Sequence, residues 1–421
     1  MKKAFIVTDL MFGDSGKGTI TDYLAKTHDA SLVVKFNGGS QAAHNVVLPN
    51  GTHFTFSQFG SGSFQGANTY LSEYVSVDPL AMLAEGDALS GIMDTNAFTL
   101  MGVNAKCPII TPYHKAYNRA LEEHRGDSRH GSCGVGHGIC VEMQKDGTAP
   151  TLYFGELRSS SIVWRKLREI CEHLVKKAWS SGFSISGLDH YEINNDFKKL
   201  YDLVTEVYNP NPMLNNCQTV IFEGAQGALL DEWHGFNPHT TWSTTTRKNA
   251  DSIIKKYTQE FGLINDEVKV HNYGVMRTYM TRHGAGPFPS ETKEPMKGWI
   301  FDDHNSTGDW QGTFRTGFLD LPLLKYALSF AGVNSIALTH WDTMSAYFSY
   351  VKSYEDGDTF LKRNGTPNLF QSEDMMWHLK DSKPVYTQYK GNIRELIDDQ
   401  FPDTPVSIIS SGQTWEDKIE V

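Results

Sequence analysis

The sequence predicts an α/β protein in which helices flank one large, mostly parallel central sheet, folded as a single domain over residues 1–421. Three observations lead there. A short apolar run, Ala4 to Thr8, is ended by a glycine-rich loop, a helical segment and a second apolar run. Apolar runs of strand length then recur as far as residue 410. No repeat or low-complexity stretch divides the chain.

In chain order, the first strand covers residues 4–8 and gives way to Gly13-Asp14-Ser15-Gly16-Lys17-Gly18, then to a helix through about Leu24. A second strand, Ser31 to Phe36, runs into Gly38-Gly39. Strand, glycine loop, helix, strand is the order of a parallel βαβ unit. Residues 157–205 are charged and helical in pattern, a helical insertion of about 157–210 whose Lys166–Lys177 stretch reads as a solvated amphipathic face. Asn209-Pro210-Asn211-Pro212 breaks the chain before a strand from Thr219 to Phe222. Strands are expected at 270–276, 335–339 and 406–410, with a helix over 317–330. Because sheet segments continue from end to end, one domain is expected rather than two.

Composition limits the function classes. Forty-nine acidic against 38 basic side chains give a formal charge of −11, which repels a polyanion, so no nucleic-acid partner is expected. Five cysteines, an odd count without a C-x-x-C pair, fit a reducing compartment better than a disulfide framework. Met1-Lys2-Lys3 followed by four apolar residues imitates a signal peptide until Asp9 interrupts it. No apolar run approaches the ~18 residues of a membrane span. A cytoplasmic location is the expectation.

The segment Phe12 to Thr19 follows a strand and opens a helix. Its glycines let backbone N–H groups approach phosphate oxygens, Lys17 adds a positive charge, and the helix dipole points at the anion. Met11 stands where a strict P-loop has its first glycine. Asp14 would repel phosphate, a cost that makes sense if it holds a magnesium ion or accepts a proton.

This loop resembles the G-D-E-G-K-G signature of adenylosuccinate synthetases, with Ser15 in place of the glutamate. Further blocks follow in the family's order. Gly38-Gly39-Ser40-Gln41-Ala42-Ala43-His44 is similar to G-G-H-N-A-G-H, and Gly131-Ser132-Cys133-Gly134-Val135-Gly136 to G-T-T-G-R-G. The run Phe222 to Asp231, with His234-Gly235 and Thr240-Thr241 beyond it, nearly repeats F-E-G-A-Q-G-T-L-L-D. Thr281 to Glu291 matches T-R-V-G-A-G-P-F-P-T-E almost throughout. The matches span residues 5 to 412 and imply a P-loop-NTPase-like fold with helical and loop insertions.

The resemblance implies a ligase that phosphorylates O6 of a purine nucleotide and replaces it with aspartate's amine. Asp14 occupies the place of the base that removes the N1 proton, His44 that of the residue stabilising the transferred phosphoryl group, and Lys17 belongs to the catalytic loop. Gln226 matches the glutamine that recognises the purine 6-position. Gln41, Ser132, Cys133 and Thr241 fall at the purine nucleotide. Gly13, Ser15, Gly16, Gly18, Asp342, Ser411 and Gly412 fall at the phosphates and base of the nucleoside triphosphate. Magnesium would be held by Asp14 and the backbone carbonyl of Ala43, a ligand that survives the Gly→Ala change only if φ is negative there. The family assembles as a homodimer.

Three departures bear on substrate. The arginine-rich T-T-G-R-x-R-R-x-G becomes Gly308-Asp309-Trp310-Gln311-Gly312-Thr313-Phe314-Arg315-Thr316-Gly317, leaving Thr313 and Arg315 as aspartate contacts. The base motif T-K-x-D becomes Thr339-His340-Trp341-Asp342, and T-G-P becomes Ser411-Gly412-Gln413, which leaves GTP, ATP and dATP open as donors. Val135 and Gly147 stand where the residues lent across the dimer are basic. These losses resemble a phage branch that acts on dGMP and carries serine at the catalytic aspartate; Asp14 is retained here, which favours IMP. Two other readings carry less. His130, Cys133, His137 and Cys140 have zinc-like spacing, but interleaved glycines suit a phosphate loop better. A non-catalytic nucleotide-binding paralogue would need neither Asp14 nor His44.

Overall fold

A computed structural model describes residues 1–421 except 186–189, 265–266, 293–309, 311, 344–346 and 363–365. Ten strands form the central sheet: β1 (Lys3–Asp9), β2 (Leu32–Lys35), β3 (Asn68–Leu71), β4 (Met101–Asn104), β5 (Thr205–Val207), β6 (Thr219–Glu223), β7 (Lys269–Arg277), β8 (Ser335–Thr339), β9 (Val406–Ser410) and β10 (Lys418–Glu420). Their spatial order is β10-β9-β8-β7-β1-β6-β2-β3-β4-β5. Every neighbouring pair is parallel except β9 with β10. The mostly parallel sheet expected from the sequence is therefore present.

The central strands read as unbroken apolar runs because helices cover both faces of the sheet. Ala4, Ile6, Val7, Val33, Val34, Ile221 and Phe222 are fully buried. Helix α1 (Lys17–Thr27) starts at Gly16, whose φ of 95° is left-handed, and runs one turn further than the expected end. The inserted helices Ser160–Ser180 and His190–Leu203 pack on Pro79–Met93 and Pro112–Arg125. The long helix buries Val163, Leu167, Ile170, Leu174 and Ala178, one stripe at the helical period. The segment then returns to the sheet edge as β5. The helix expected over 317–330 starts at Leu321, because Leu319–Asp320 pairs with Tyr350–Val351 and Asp320 caps the helix by accepting from the Leu323 N–H at 3.1 Å.

Two buried histidines make the fold sensitive to acid. The Nδ1 atom of His114 accepts from the Thr111 N–H at 2.9 Å, and His137 Nδ1 bonds the Ser76 hydroxyl at 2.7 Å. Burial pushes His114 down to about 3 and His137 to about 4. Unfolded, both bind protons below about pH 6.5. Their contribution is therefore complete above that pH and is lost progressively down to the folded values. The melting temperature should fall between about pH 7.5 and about pH 5, by an amount equivalent to a few kcal/mol. An Ala variant at either position that melts with unchanged pH dependence would contradict this assignment.

Candidate active site

The carboxyl ends of β1, β2, β6, β7, β8 and β9 open onto one cleft of about 1150 Å³. Ligands in open α/β sheets bind at such ends, next to a strand whose two neighbours lead away in opposite directions, as β6 and β7 do from β1. Asp14, Lys17, Gly13, Gly16, Gly18, Gln41, Ala43, His44, Ser132, Cys133, Gln226, Thr241, Asp342 and Gly412 all line it.

The loop after β1 is tied down from below. Asp9, at the strand's end, accepts from the Met11 N–H at 2.9 Å and the Ser15 N–H at 3.1 Å, and its Oδ2 pairs with Lys17 Nζ at 2.9 Å. Thr339 Oγ1 donates to the Ser15 carbonyl at 2.7 Å, which ties β8 to the loop. Ser15 is thus buried under the loop and its side chain stays out of the cleft. Gly227 permits the neighbouring turn, because a Cβ there would lie 2.1 Å from the Met11 carbonyl oxygen. At Gly18 a Cβ would lie 2.8 Å from that of His44, so a bare backbone lets α1 approach the imidazole.

His44 Nδ1 stands 2.6 Å from Glu223 Oε1. Glu223 is buried at the end of β6, accepts from the Ser61 N–H at 3.1 Å and the Ser61 hydroxyl, and lies 3.9 Å from Lys35 Nζ. Burial alone would raise this carboxyl, but Lys35, His44 and Ser61 outweigh it and hold it well below the usual range. It therefore stays ionised and fixes Nδ1 as the protonated nitrogen, which turns Nε2 towards the chemistry.

Asp14 is held at φ 58°, with its carbonyl accepting from Arg277 Nε at 2.6 Å and its Oδ2 3.4 Å from His283 Nε2. Gln226 is at φ 62° and its Nε2 donates to Thr241 Oγ1 at 2.7 Å, leaving Oε1 buried without a partner. His340 is at φ 58°. Three of the five left-handed non-glycine residues among those described thus line this cleft, where strain commonly concentrates. Both amide atoms of Gln41 are also buried without a partner. Unsatisfied amides are costly unless a ligand completes them.

Other expected residues lie elsewhere. Ser411 faces away, its hydroxyl donating to the Asp417 carbonyl at 3.1 Å. Thr313 is exposed and outside the lining. Arg315 is also outside it: Nε donates to Glu291 Oε1 at 2.9 Å, Nη2 to Oε2 at 2.5 Å, and Nη1 to the carbonyls of Gly284 and Gly286. Residues 308, 309 and 311 of that stretch lie outside the described residues. Among the described residues no three His, Cys, Asp or Glu side chains group as a metal cage; Cys140 Sγ instead bonds the Ile109 carbonyl. Asp9, Lys35, Ser61, Glu223, Arg277 and His283 were not singled out from sequence. Glu223 and His283 sat inside quoted blocks, yet their partners are brought together only by the fold.

The family model for adenylosuccinate synthetase matches residues 6–410. The chain belongs to the adenylosuccinate synthetase family. Adenylosuccinate synthetases from Thermoplasma volcanium and from a type E3 strain of Clostridium botulinum are 30% and 31% identical, over 97% and 99% of this chain and 95% and 99% of theirs. Fully ligated adenylosuccinate synthetase of Plasmodium falciparum superposes with a TM-score of 0.79 at 20% identity, covering 99% of both chains. Cyanophage S-2L succinoaminodeoxyadenylate synthetase, solved with dGMP and dATP, gives 0.65 at 17%, over 100% of this chain and 95% of the other. As a family member this chain is a nucleotide-binding C–N ligase of purine biosynthesis that joins aspartate to a purine nucleotide. No helix among the described residues is long and apolar enough to cross a membrane.

Proposed function

We propose that the purine nucleotide is IMP, the donor GTP and the product adenylosuccinate. The convergence of Asp14, His44 and Gln226 on one cleft floored by a phosphate loop carries the reading. The Asp14 carboxylate takes the N1 proton, the ring's electron pair moves to O6, and O6 attacks the γ-phosphorus as its bond to the β-phosphate oxygen breaks. His44, with Nδ1–H on Glu223, offers Nε2 to the transferring group. An anion there favours the imidazolium, which burial otherwise disfavours. Aspartate's amine then displaces phosphate at C6. Gln226 Oε1, Gln41, Ser132, Cys133 and Thr241 are the proposed purine-nucleotide contacts, Cys133 the weakest donor among them.

Asp342, on the wall of the cleft, suits guanine, which offers two adjacent N–H donors to a carboxylate where adenine offers one. Magnesium suits the donors present: Asp14, about a third exposed, and the carbonyl of Ala43, a residue not among those with positive φ. Such an ion takes one or two carboxylates and completes its shell with phosphate and water oxygens. When bound, it would supply charge neutralisation across the donor's phosphates. Arg315 would reach an aspartate carboxylate by exchanging Glu291 for it. Assembly as a homodimer belongs to the same proposal.

The test is a matrix of IMP, GMP and dGMP against GTP, ATP and dATP, with aspartate and magnesium, following phosphate release and product absorbance. IMP with GTP should turn over fastest. Turnover with dGMP alone would overturn the IMP assignment, and a preference for dATP would overturn the role given to Asp342.

A further inference from the structure

Asp14 is contacted twice, and the Phe314 ring lies beside both contacts, with Tyr279 holding Arg277 from its other side at 2.6 Å. The strand Met280–His283 pairs antiparallel with Phe314–Gly317, which sets His283 opposite Phe314 with ring centroids 5.0 Å apart. The guanidinium of Arg277 lies over the same ring at 5.8 Å. From this platform Arg277 Nε holds the Asp14 backbone at its carbonyl, and His283 Nε2 stands 3.4 Å from the side chain at Oδ2. A carboxylate rotates over a broad, roughly two-fold torsion when nothing holds it. With Oδ2 beside an imidazole, rotation of this cleft-lining carboxylate is restricted. The adenylosuccinate synthetase motif quoted above has valine here, which has no polar atom to offer.

We infer that His283 is a positioning residue that orients the Asp14 carboxylate for proton abstraction from the purine ring, with Phe314 as its support. The inference rests on the reading of Asp14 as the base. The contact is long at 3.4 Å, and catalytic contacts often tighten only in the substrate complex. A group that fixes the angle of a base contributes to the reacting geometry and little to substrate affinity. Its loss should therefore appear in kcat, and a misplacement of about 1 Å is enough to cost on the order of a hundredfold.

The test compares His283→Val and His283→Gln in the full chain, with IMP, GTP, aspartate and magnesium. Val should lower kcat roughly tenfold to a hundredfold, with KM for IMP within about twofold and an unchanged melting temperature. Gln, whose side-chain amide can still donate, should recover at least about a third of the lost rate. A purely structural role predicts loss of thermal stability and no advantage of Gln over Val. Equal rates for Val and the wild type, a change confined to KM, or no recovery with Gln each overturn the inference. A wild type that forms no product with IMP fails at the earlier step and removes the reading of Asp14 along with it. Wild-type turnover with a silent His283 removes this inference alone.

Discussion

Asp14→Asn is expected to lower phosphate release with IMP and GTP by on the order of a thousandfold or more, since positioned general bases contribute about 10²–10⁴. An asparagine amide keeps the shape but cannot take the N1 proton, so O6 stays an amide-like oxygen that attacks phosphorus poorly. The fold should be indifferent to the change. Arg277 binds the carbonyl of residue 14, which the substitution leaves in place, and asparagine tolerates the left-handed backbone at φ 58°. Melting temperature should match the wild type. Phosphate release without aspartate should vanish together with product formation, because both need the same 6-phosphoryl intermediate. A residual rate above about a tenth of wild type would eliminate Asp14 as the base.

The second large effect belongs to His44 and Glu223. His44→Ala should cost about 10²–10³ in kcat, the scale seen when one preorganised electrostatic stabiliser is removed. Glu223→Gln should mimic part of that loss and destabilise the fold more than His44→Ala, which leaves Glu223 with Lys35 and Ser61. The carboxylate is wholly buried, and its removal leaves Lys35 without its counter-ion at 3.9 Å. Single-turnover phosphate release should slow in both variants, and melting separates them: Glu223→Gln should melt several degrees below His44→Ala. Equal melting temperatures would show that Lys35 finds another partner.

Much of this was legible in the chain. Strands at 335–339 and 406–410 were located to the residue, because parallel strands covered on both faces have no alternation to blur their ends. Short strands such as Asn68–Leu71 and Thr205–Val207 were missed, since three or four residues carry no period to count. The glycine loop and the Glu223–Asp231 block gave the cleft because their spacing encodes local backbone. What sequence could not give was the pairing across distance. Lys17 tied to Asp9, His44 tied to Glu223 and Arg315 tied to Glu291 are relations between elements.

The bond between Lys17 and Asp9 sets a competitor before any anion that the loop would bind. A lone inorganic phosphate must win the ammonium from a carboxylate already in contact, and it brings little else to offset that exchange. A triphosphate engages the amide cradle and the helix terminus together, so the competition is settled by many contacts acting at once. If the loop holds a triphosphate as proposed, that buried aspartate would act as a threshold, keeping the lysine occupied until a polyphosphate arrives.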